Sequence, residues 1–486
     1  MRSASVKRGD RAVNPSSRRA RLWHTTAPSC PLATATTSRW SAMSKLLRRL
    51  VVLQPGEAPV VLASLATLLC TFSSYTMLRP VRDALGVTSG LDKIPYLFWG
   101  VFLAMLLLQP VYGWLTSRYA RSVFLPWVYG FFVINLLLFW LWFHVAADHT
   151  WIARTYYVWV SVFNLFVVAA FWSLMADIFT REQAGRVFGF IWAGASAGGL
   201  IGPFVARELA LPIGAINLLP ISAGLLFAAL LLMRQVIRRQ GSSGAPAGAA
   251  APGAERGVGG GVLAAFAQVG RSPYLIGIAV FVLFMTWVST FFYLEQQSFV
   301  AKVFHSADER TRFFGTIDLA VQGAALLLQA LLFSRLFKWF GMRALLVAVP
   351  LMMIGAYALY ALVPTFMVLN WAYGVRRVAD YGITRPCRDS LFTVVSREEK
   401  YQAKSLIDTF AYRGGDALSG SLYKAFTAGL GAGHSAVGWL GAAVSALWML
   451  LALGLGRAFQ QRVQRAAAPP GQPGEARLSR TESVRL

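Results

Sequence analysis

Long apolar stretches recur along almost the whole chain, and they constrain its fold more than any other feature. A helix needs about 20 residues to cross the hydrocarbon core of a bilayer. Charged residues make up 14% of the sequence, well below the roughly one quarter found in soluble domains. We therefore predict an all-α polytopic membrane protein with about twelve transmembrane helices, at 58–79, 94–115, 123–144, 154–178, 187–206, 213–234, 273–294, 312–334, 343–362, 365–394, 402–428 and 436–457.

The positive charges are distributed as in a membrane protein. The net charge of +25 would also suit a nucleic-acid-binding protein, but residues 1–50 alone hold eleven Lys and Arg against one Asp. If the N-terminus is cytoplasmic, the inner loops hold thirteen of the remaining loop cations and the outer loops hold seven. Because cytoplasmic loops are enriched in Lys and Arg, we predict that both termini are cytoplasmic and that nucleic acid is not a partner.

Composition divides the chain into five segments. Residues 1–42 are acid-poor and lack an apolar run, so they are predicted to be a disordered or non-native extension, with Met43 as the favoured start. An organelle transit peptide is the alternative, since such peptides have this composition. The predicted localisation is the bacterial inner membrane, with an organelle envelope as the alternative. The other segments are a six-helix half at 43–236, a Gly-rich flexible linker at 237–268, a second six-helix half at 269–460 and a disordered tail at 461–486.

The two groups of six spans repeat in sequence. At an offset of 216 residues, Thr-Arg-Glu at 180–182 aligns with Ser-Arg-Glu at 396–398, and the glycine pair at 198–199 aligns with the pair at 414–415. Six spans, a linker and six more spans are typical of the major-facilitator architecture, whose halves are related by a pseudo-two-fold axis. On the fifth span, Gly194, Gly198 and Gly202 share one face, which predicts close helix packing.

Ionisable residues inside the predicted spans are the candidate functional residues. A charged side chain at the centre of a lipid-exposed helix costs about 2.5–3.5 kcal/mol, so these groups should face other helices or water. Arginine predominates among them, and its planar fork matches phosphate and carboxylate. The candidate substrate-binding residues are Arg79, Arg82, Asp83, Arg376, Arg377, Asp380, Arg385, Arg388, Asp389 and Arg413, and the candidate coupling residues are Glu295, Asp318, Asp408 and Asp416.

Two of these groups share the pattern Arg-Pro-x-Arg-Asp-x-Leu, at residues 79–85 and 385–391. They are 306 residues apart, so duplication of the halves did not produce them. Proline frees helix carbonyls, which suits the wall of a cavity. We interpret the first motif as the end of span 1 and expect both motifs at a central site. Arg385 and Asp389 are spaced as an i, i+4 ion pair.

The first motif also carries a family resemblance. Tyr-Thr-Met-Leu-Arg-Pro-Val-Arg-Asp-Ala-Leu-Gly at 75–86 resembles the first-span signature of the ATP/ADP antiporter family of bacteria and plastids. Phe-Trp at 171–172, Thr-Arg-Glu-Gln at 180–183 and the run at 385–401 resemble the bacterial branch of that family, which is classed with the major facilitators. The resemblance implies nucleotide exchange by alternating access, with Arg79 and Arg82 contacting phosphate.

The sequence therefore favours a secondary transporter for a small anionic solute, nucleotide-like or phosphorylated, that works as a monomer in a lipid bilayer. Two alternatives remain open: a proton-coupled permease that uses Glu295 or Asp318 as proton carrier, and a non-transporting membrane sensor or scaffold. No nucleophile–base arrangement or metal-ligand spacing is found among the three cysteines and five histidines, so an enzyme, a metal and a cofactor are not predicted.

Overall fold

The computed structural model describes residues 57–119, 121–242, 262–396, 403–404 and 406–467. In this part of the chain the regular structure is entirely helical, as predicted. Six long helices form the first half: α1 Ala58–Thr88, α2 Ile94–Arg118, α3 Arg121–Val145, α4 Thr150–Ile178, α5 Arg181–Ile213 and α6 Leu218–Ser242.

The second half repeats this plan with more interruptions. Its helices are the short α7 Val262–Arg271, then α8 Pro273–Val303, α9 Ala307–Leu327, α10 Ser334–Leu362, α11 Phe366–Ala379, α12 Arg385–Leu391, α13 Gly415–Lys424 and α14 His434–Ala467. Four π-helical stretches, at Leu328–Phe333, Asp380–Thr384, Ile407–Gly414 and Ala425–Gly429, continue or join them. Gly341 has a φ of 71° and interrupts the helical backbone of α10. This position lies in the predicted loop between the spans 312–334 and 343–362.

The helix positions follow the repeat seen in the sequence. The helices α4 and α11 begin 216 residues apart, at Thr150 and Phe366, and α6 and α14 begin 216 residues apart, at Leu218 and His434. Nine helices in the described residues are long and apolar enough to cross a membrane, and one of them, Ala307–Leu362, contains two predicted spans. The predicted spans at 365–394 and 402–428 make up the remainder, each interrupted by π-helical stretches.

Helix extends further than hydropathy indicates in three places. α6 continues to Ser242 and α7 begins at Val262, so the predicted linker at 237–268 is helical at both ends, and residues 243–261 lie outside the described part. α14 continues to Ala467, so the predicted disordered tail begins as helix. Arg, Gln and Ala at these ends are good helix formers although some are polar, which explains the error. The predicted extension at 1–42 also lies outside the described residues.

The predicted glycine face of α5 packs directly on α1, which confirms its predicted role. A Cβ atom built on Gly198 would lie 2.6 Å from the Leu69 carbonyl oxygen. The Thr76 hydroxyl donates a hydrogen bond to the Gly198 carbonyl oxygen at 2.9 Å. The two helices therefore approach to backbone contact, as small residues at membrane helix interfaces allow.

The bundle has two ends, which we name by one residue each. The Gly90 end carries the connections near residues 89–93, 146–149, 214–217, 304–306, 363–365 and 430–433, and the Glu57 end is the opposite one. Hydrogen bonds join the halves at the Gly90 end, among them those from Lys424 to the Asp92 carbonyl oxygen at 3.1 Å, from Arg310 to the Thr88 hydroxyl at 3.4 Å, and from the Ala215 amide to Asp308 at 2.6 Å. The halves are thus tied together at that end.

A tyrosine-lined cavity between the halves as candidate functional site

A cavity of about 120 Å³ lies between the two halves. We call it the tyrosine cavity, because four of its lining residues are Tyr157 on α4, Tyr293 on α8, Tyr373 on α11 and Tyr412 in the π-helical stretch 407–414. Its charged lining residues are Arg82, Arg413 and Asp416. Each half therefore contributes one guanidinium group to the same cavity.

Arg82 is held in place by a network that crosses between the halves. Its Nη2 lies 2.7 Å from Asp83 Oδ1, and its guanidinium lies 5.1 Å from the centre of the Tyr157 ring. The Tyr293 hydroxyl, from the other half, donates to Asp83 at 3.1 Å and lies 3.0 Å from the Tyr157 hydroxyl. These contacts fix the guanidinium at the cavity wall.

The motif that contains Arg82 is inside a helix, which corrects its predicted position at the end of span 1. α1 continues through Pro80 to Thr88. The charges at 79, 82 and 83 lower the local hydropathy, so the hydropathy pattern predicts a span that ends before the last turns of the helix. Because α1 does not stop there, both arginines of the motif face the interior of the bundle rather than a loop.

The second-half guanidinium of the cavity has a weaker partner. Arg413 Nη1 lies 3.7 Å from Asp416 Oδ2, and Asp416 also accepts a hydrogen bond from the Thr290 hydroxyl at 3.3 Å. Nearby Arg376 is 5% exposed and donates to the Met285 carbonyl at 3.4 Å. Among the described residues, no carboxylate lies within 4 Å of the Arg376 nitrogens, so its charge is uncompensated at contact distance.

A second cluster joins the halves beside the cavity. Asp318 on α9 lies 2.5 Å from Arg377 Nη2 and 3.9 Å from Arg79 Nε. Arg79 belongs to the first half, whereas Asp318 and Arg377 belong to the second. One buried carboxylate is therefore the counter-ion of two guanidinium groups, one from each half.

The π-helical turn Asp380–Thr384 determines a third pair. Arg385 Nε lies 3.2 Å from Asp380 Oδ2, because residues i and i+5 are aligned in a π turn. This corrects the predicted pairing of Arg385 with Asp389, because Arg385 contacts Asp380 on the preceding turn and Asp389 contacts Arg388 and Lys404. The Arg385 guanidinium also lies 4.5 Å from the Tyr381 ring centre, and Arg79 donates to the Tyr381 hydroxyl at 3.5 Å. The first arginines of the two motifs thus meet at one tyrosine.

The remaining candidate residues, Arg388, Asp389 and Asp408, lie nearer the Glu57 end. Arg388 contacts its neighbour Asp389 at 3.3 Å and Asp408 at 3.2 Å. Lys404 lies 3.2 Å from Asp389. An Arg next to an Asp therefore forms an ion pair in both motifs, since Arg82 and Asp83 do the same. These four groups compensate one another in charge.

Summed over these clusters, cations exceed carboxylates by two. The cations are Arg79, Arg82, Arg376, Arg377, Arg385, Arg388, Lys404 and Arg413, and the carboxylates are Asp83, Asp318, Asp380, Asp389, Asp408 and Asp416. One excess cation arises because Asp318 is the only carboxylate in these clusters for both Arg79 and Arg377. The other is Arg376, which has no carboxylate partner among the described residues. The interior between the halves is therefore cationic beside the tyrosine cavity.

Glu295 lies apart from these clusters, within the second half. It is 1% exposed and accepts hydrogen bonds from the hydroxyls of Tyr360 and Tyr423, the latter at 2.7 Å. The ring Nδ1 of His434 lies 2.6 Å from Glu295 Oε2, the oxygen that also accepts from Tyr360. Among the described residues, no group of three or more His, Cys, Asp and Glu side chains is arranged to hold a metal ion.

Sequence reasoning missed the tyrosines. The predicted site residues are all charged, whereas Tyr157, Tyr293, Tyr373 and Tyr412 line the cavity. Tyrosines of membrane proteins are enriched at the two membrane surfaces. Tyr373 and Tyr412 lie well inside predicted spans and were therefore the available signal of a polar interior site, whereas Tyr157 and Tyr293 lie within four residues of a predicted span end.

Comparison with known proteins agrees with the fold. The profile described as Major Facilitator Superfamily matches residues 60–415. The ADP,ATP carrier protein 2 of Chlamydia pneumoniae is 28% identical over 152 residues, which cover 25% of this chain and 28% of the carrier. The match therefore spans less than a third of that relative's length.

Solved transporter structures resemble this one over most of the chain. A bacterial homologue of the lysosomal transporter Spinster, inward-facing and unoccupied, has a TM-score of 0.56 at 16% identity and covers 86% of this chain and 100% of its own. A mutant of the nucleoside transporter NupG has a TM-score of 0.57 at 13% identity, with coverages of 83% and 99%. The POT family transporter PepTSo has a TM-score of 0.60 at 11% identity, with coverages of 83% and 98%. At such identities the likeness concerns the fold alone.

Proposed function

Since this chain belongs to the Major Facilitator Superfamily, we propose that it is a secondary transporter that moves a small anionic solute, nucleotide-like or phosphorylated, by alternating access. The observation that carries the proposal is the pair of guanidinium groups, Arg82 from one half and Arg413 from the other, at one tyrosine-lined cavity. The fold supports secondary transport, and the partial similarity to an ADP,ATP carrier supports a nucleotide-like solute.

The chemistry of the site favours an anion. Guanidinium groups bind phosphate and carboxylate oxygens through paired N–H donors, and the surrounding interior has an excess of two cations. Tyrosine rings add flat apolar surfaces with a hydroxyl donor at their edge. A phosphorylated solute with a planar ring would use both kinds of contact.

The shared carboxylate supports alternating access. Arg79 of the first half and Arg377 of the second both contact Asp318. An anionic solute that reaches these guanidinium groups competes with Asp318 and so weakens a link between the halves. Binding would in this way favour separation of the halves at the Gly90 end, because a ligand shifts an equilibrium by its differential affinity for the two states.

The direct test is solute counterflow. Proteoliposomes preloaded with one unlabelled solute are screened for accelerated uptake of the same labelled solute, using nucleoside diphosphates and triphosphates, sugar phosphates and dicarboxylates. We expect a phosphorylated solute to be exchanged and a neutral nucleoside to be ignored. Exchange of neutral solutes alone would contradict the anionic site, and binding without flux would favour a sensor or scaffold.

Proton coupling is a second candidate function, favoured by the buried Glu295. The groups that face it are the hydroxyls of Tyr360 and Tyr423 and the ring of His434, with Tyr357 close by. Asp318 is the poorer proton carrier, because it is the counter-ion of two guanidinium groups. A buried carboxylate next to an imidazole can take up and release one proton as the helices around it move.

If protons drive transport, Glu295→Gln should abolish uptake that is driven by an imposed pH gradient. Gln keeps the side-chain size but cannot exchange a proton. Counterflow, which needs no proton movement, should persist in the same variant. Glu208→Gln on α5 is the control, since its carboxylate is 48% exposed and paired at the surface. Unchanged pH-driven uptake by Glu295→Gln would remove this candidate.

We also propose an inner-membrane orientation with both termini cytoplasmic, which places the Gly90 end outside. In a variant without the three native cysteines, a cysteine replacing Asp148 should react with a membrane-impermeant maleimide in intact cells. A cysteine replacing Lys338 at the Glu57 end should react only after permeabilisation. Both positions are exposed, so the opposite labelling pattern would reverse the proposed orientation. A single transporting unit per chain is part of the proposal.

A further inference from the structure

A second, larger cavity lies on the outer surface of the second half. It is a groove of about 760 Å³ between α8 and α14, which we call the α8–α14 groove. Its wall is apolar along most of its length and includes Val280, Phe284, Leu447, Leu450, Leu451 and Leu455. Leu447 is 51% exposed and Leu450 is 60% exposed. A groove of this composition on a transmembrane surface faces lipid.

Glycines create the depth of the α8–α14 groove. Gly277 on α8 and Gly454 on α14 both line it. A Cβ atom built on Gly454 would meet no other atom within 4 Å. The two helices therefore leave a channel between them that a thin apolar chain can enter.

Two arginine side chains lie at one end of the groove. Arg462 and Arg465 line it at the Glu57 end. The Arg462 guanidinium lies 4.4 Å from the centre of the Tyr274 ring, and the Tyr274 hydroxyl donates to the Leu391 carbonyl at 2.9 Å. Among the described residues, neither arginine has a carboxylate within 4 Å. The mouth therefore offers an oriented and uncompensated cation.

The length of the groove matches one leaflet of a bilayer. Fifteen residues of α14 separate Leu447 from Arg462, which corresponds to roughly 22 Å along a helix axis. Half of a bilayer, including its headgroup region, is about 20–22 Å thick. Long arginine side chains near helix ends reach to the headgroup level. The charge and the apolar wall are thus at the depths of a phosphate and of an acyl chain.

We propose that the α8–α14 groove binds one anionic phospholipid, with an acyl chain along the apolar wall and the phosphate at Arg462 and Arg465. A net-neutral phosphatidylcholine carries the same phosphate, but its choline cation would lie near the two guanidinium groups and offset the attraction. A free phosphate would leave the apolar wall uncovered. Basic pockets between transmembrane helices bind anionic headgroups in this way. The proposal is independent of the transported solute.

Native mass spectrometry of the full-length, delipidated protein tests the proposal. Dioleoylphosphatidylglycerol should bind in preference to dioleoylphosphatidylcholine, which has the same chains. The double variant Arg462→Ala/Arg465→Ala should bind the anionic lipid roughly thirtyfold more weakly, because each arginine near an anionic headgroup contributes about one factor of five to six. The matched control is Arg234→Ala/Arg238→Ala, which removes two exposed arginines from α6 at the same end.

Filling the groove gives an independent test that leaves its charges intact. Gly454→Phe should reduce binding of both lipids, and Gly355→Phe on α10 should not, although Gly355 is equally free of neighbours within 4 Å. Equal binding of the anionic lipid by wild type and both groove variants would overturn the proposal. Competition by glycerol phosphate as strong as by the lipid would also overturn it, since that outcome indicates a site for free phosphate.

Photo-crosslinking distinguishes the lipid from other occupants. A benzoylphenylalanine at position 450, in the exposed wall of the groove, should form adducts with phospholipid in native membranes. Adducts with residues 468–486 of the same chain, or with a second copy of the chain, would overturn the proposal.

Discussion

Replacing Arg82 with alanine is expected to lower counterflow of the transported anion roughly hundredfold. A hydrogen bond to a charged group contributes about 1.5–3 kcal/mol, and the Arg82 guanidinium is the first-half cation at the tyrosine cavity. The measurement is the initial rate of counterflow in proteoliposomes with equal amounts of purified variant and wild type.

The Arg82→Ala variant should also be less stable, which needs a separate control. Asp83 is 7% exposed and would lose the one cation that lies within 4 Å of it in the described part of the chain; leaving a buried charge unpaired costs about 3–5 kcal/mol. The double variant Arg82→Ala/Asp83→Asn removes that charge and keeps an acceptor for Tyr293. We expect it to recover thermal stability but not transport. Wild-type counterflow by this double variant would refute the role of Arg82 in binding.

Replacing Gly198 with leucine is expected to prevent assembly of the first half. A Cβ at this position would lie 2.6 Å from the Leu69 carbonyl oxygen and 2.8 Å from the Ser73 amide nitrogen. Both are backbone atoms and cannot move without separating α1 from α5. Overpacking typically costs about 1–3 kcal/mol or more, and a backbone collision belongs at the upper end.

The adjacent glycine provides the matched control. A Cβ on Gly199 would lie 3.4 Å from the Gln322 side-chain nitrogen, which is close to an ordinary contact with a movable group. Gly199→Ala should therefore give a monodisperse peak in size-exclusion chromatography, and Gly198→Leu should give aggregate or no protein. If Gly198→Leu were as stable as Gly199→Ala, the described contact between α1 and α5 would be wrong.

Hydropathy and small-residue spacing were sufficient to predict the helices and one of their interfaces. Within the described residues, each predicted span lies mainly on a helix or on joined helical stretches, because burial in lipid requires long apolar runs whatever the contacts between them. The glycine face of α5 was predictable because a spacing of four residues places Gly194, Gly198 and Gly202 on one side. Neither inference depends on which other helix lies opposite.

The partners of the buried charges could not be predicted in the same way. The contact of Asp318 with Arg377 joins residues 59 positions apart in sequence, and spacing rules reach only neighbours on one helix. The predicted pairing of Arg385 with Asp389 is wrong although both lie on α12, because the π turn at 380–384 brings Asp380 to Arg385, and Asp389 contacts Arg388 and Lys404 instead. The tyrosines of the cavity carry no formal charge, so the charges inside the apolar spans do not indicate them.

The π-helical stretches make the helices of the two halves differ in regularity, although the two halves share the same order of helices. In the described residues, all four occur in the second half, at Leu328–Phe333, Asp380–Thr384, Ile407–Gly414 and Ala425–Gly429. A π turn interrupts the regular hydrogen-bond ladder and is a usual place for a helix to bend. The halves therefore share an architecture but not a stiffness, and we expect elastic deformation during transport to concentrate in the second half while the first moves as a stiff body.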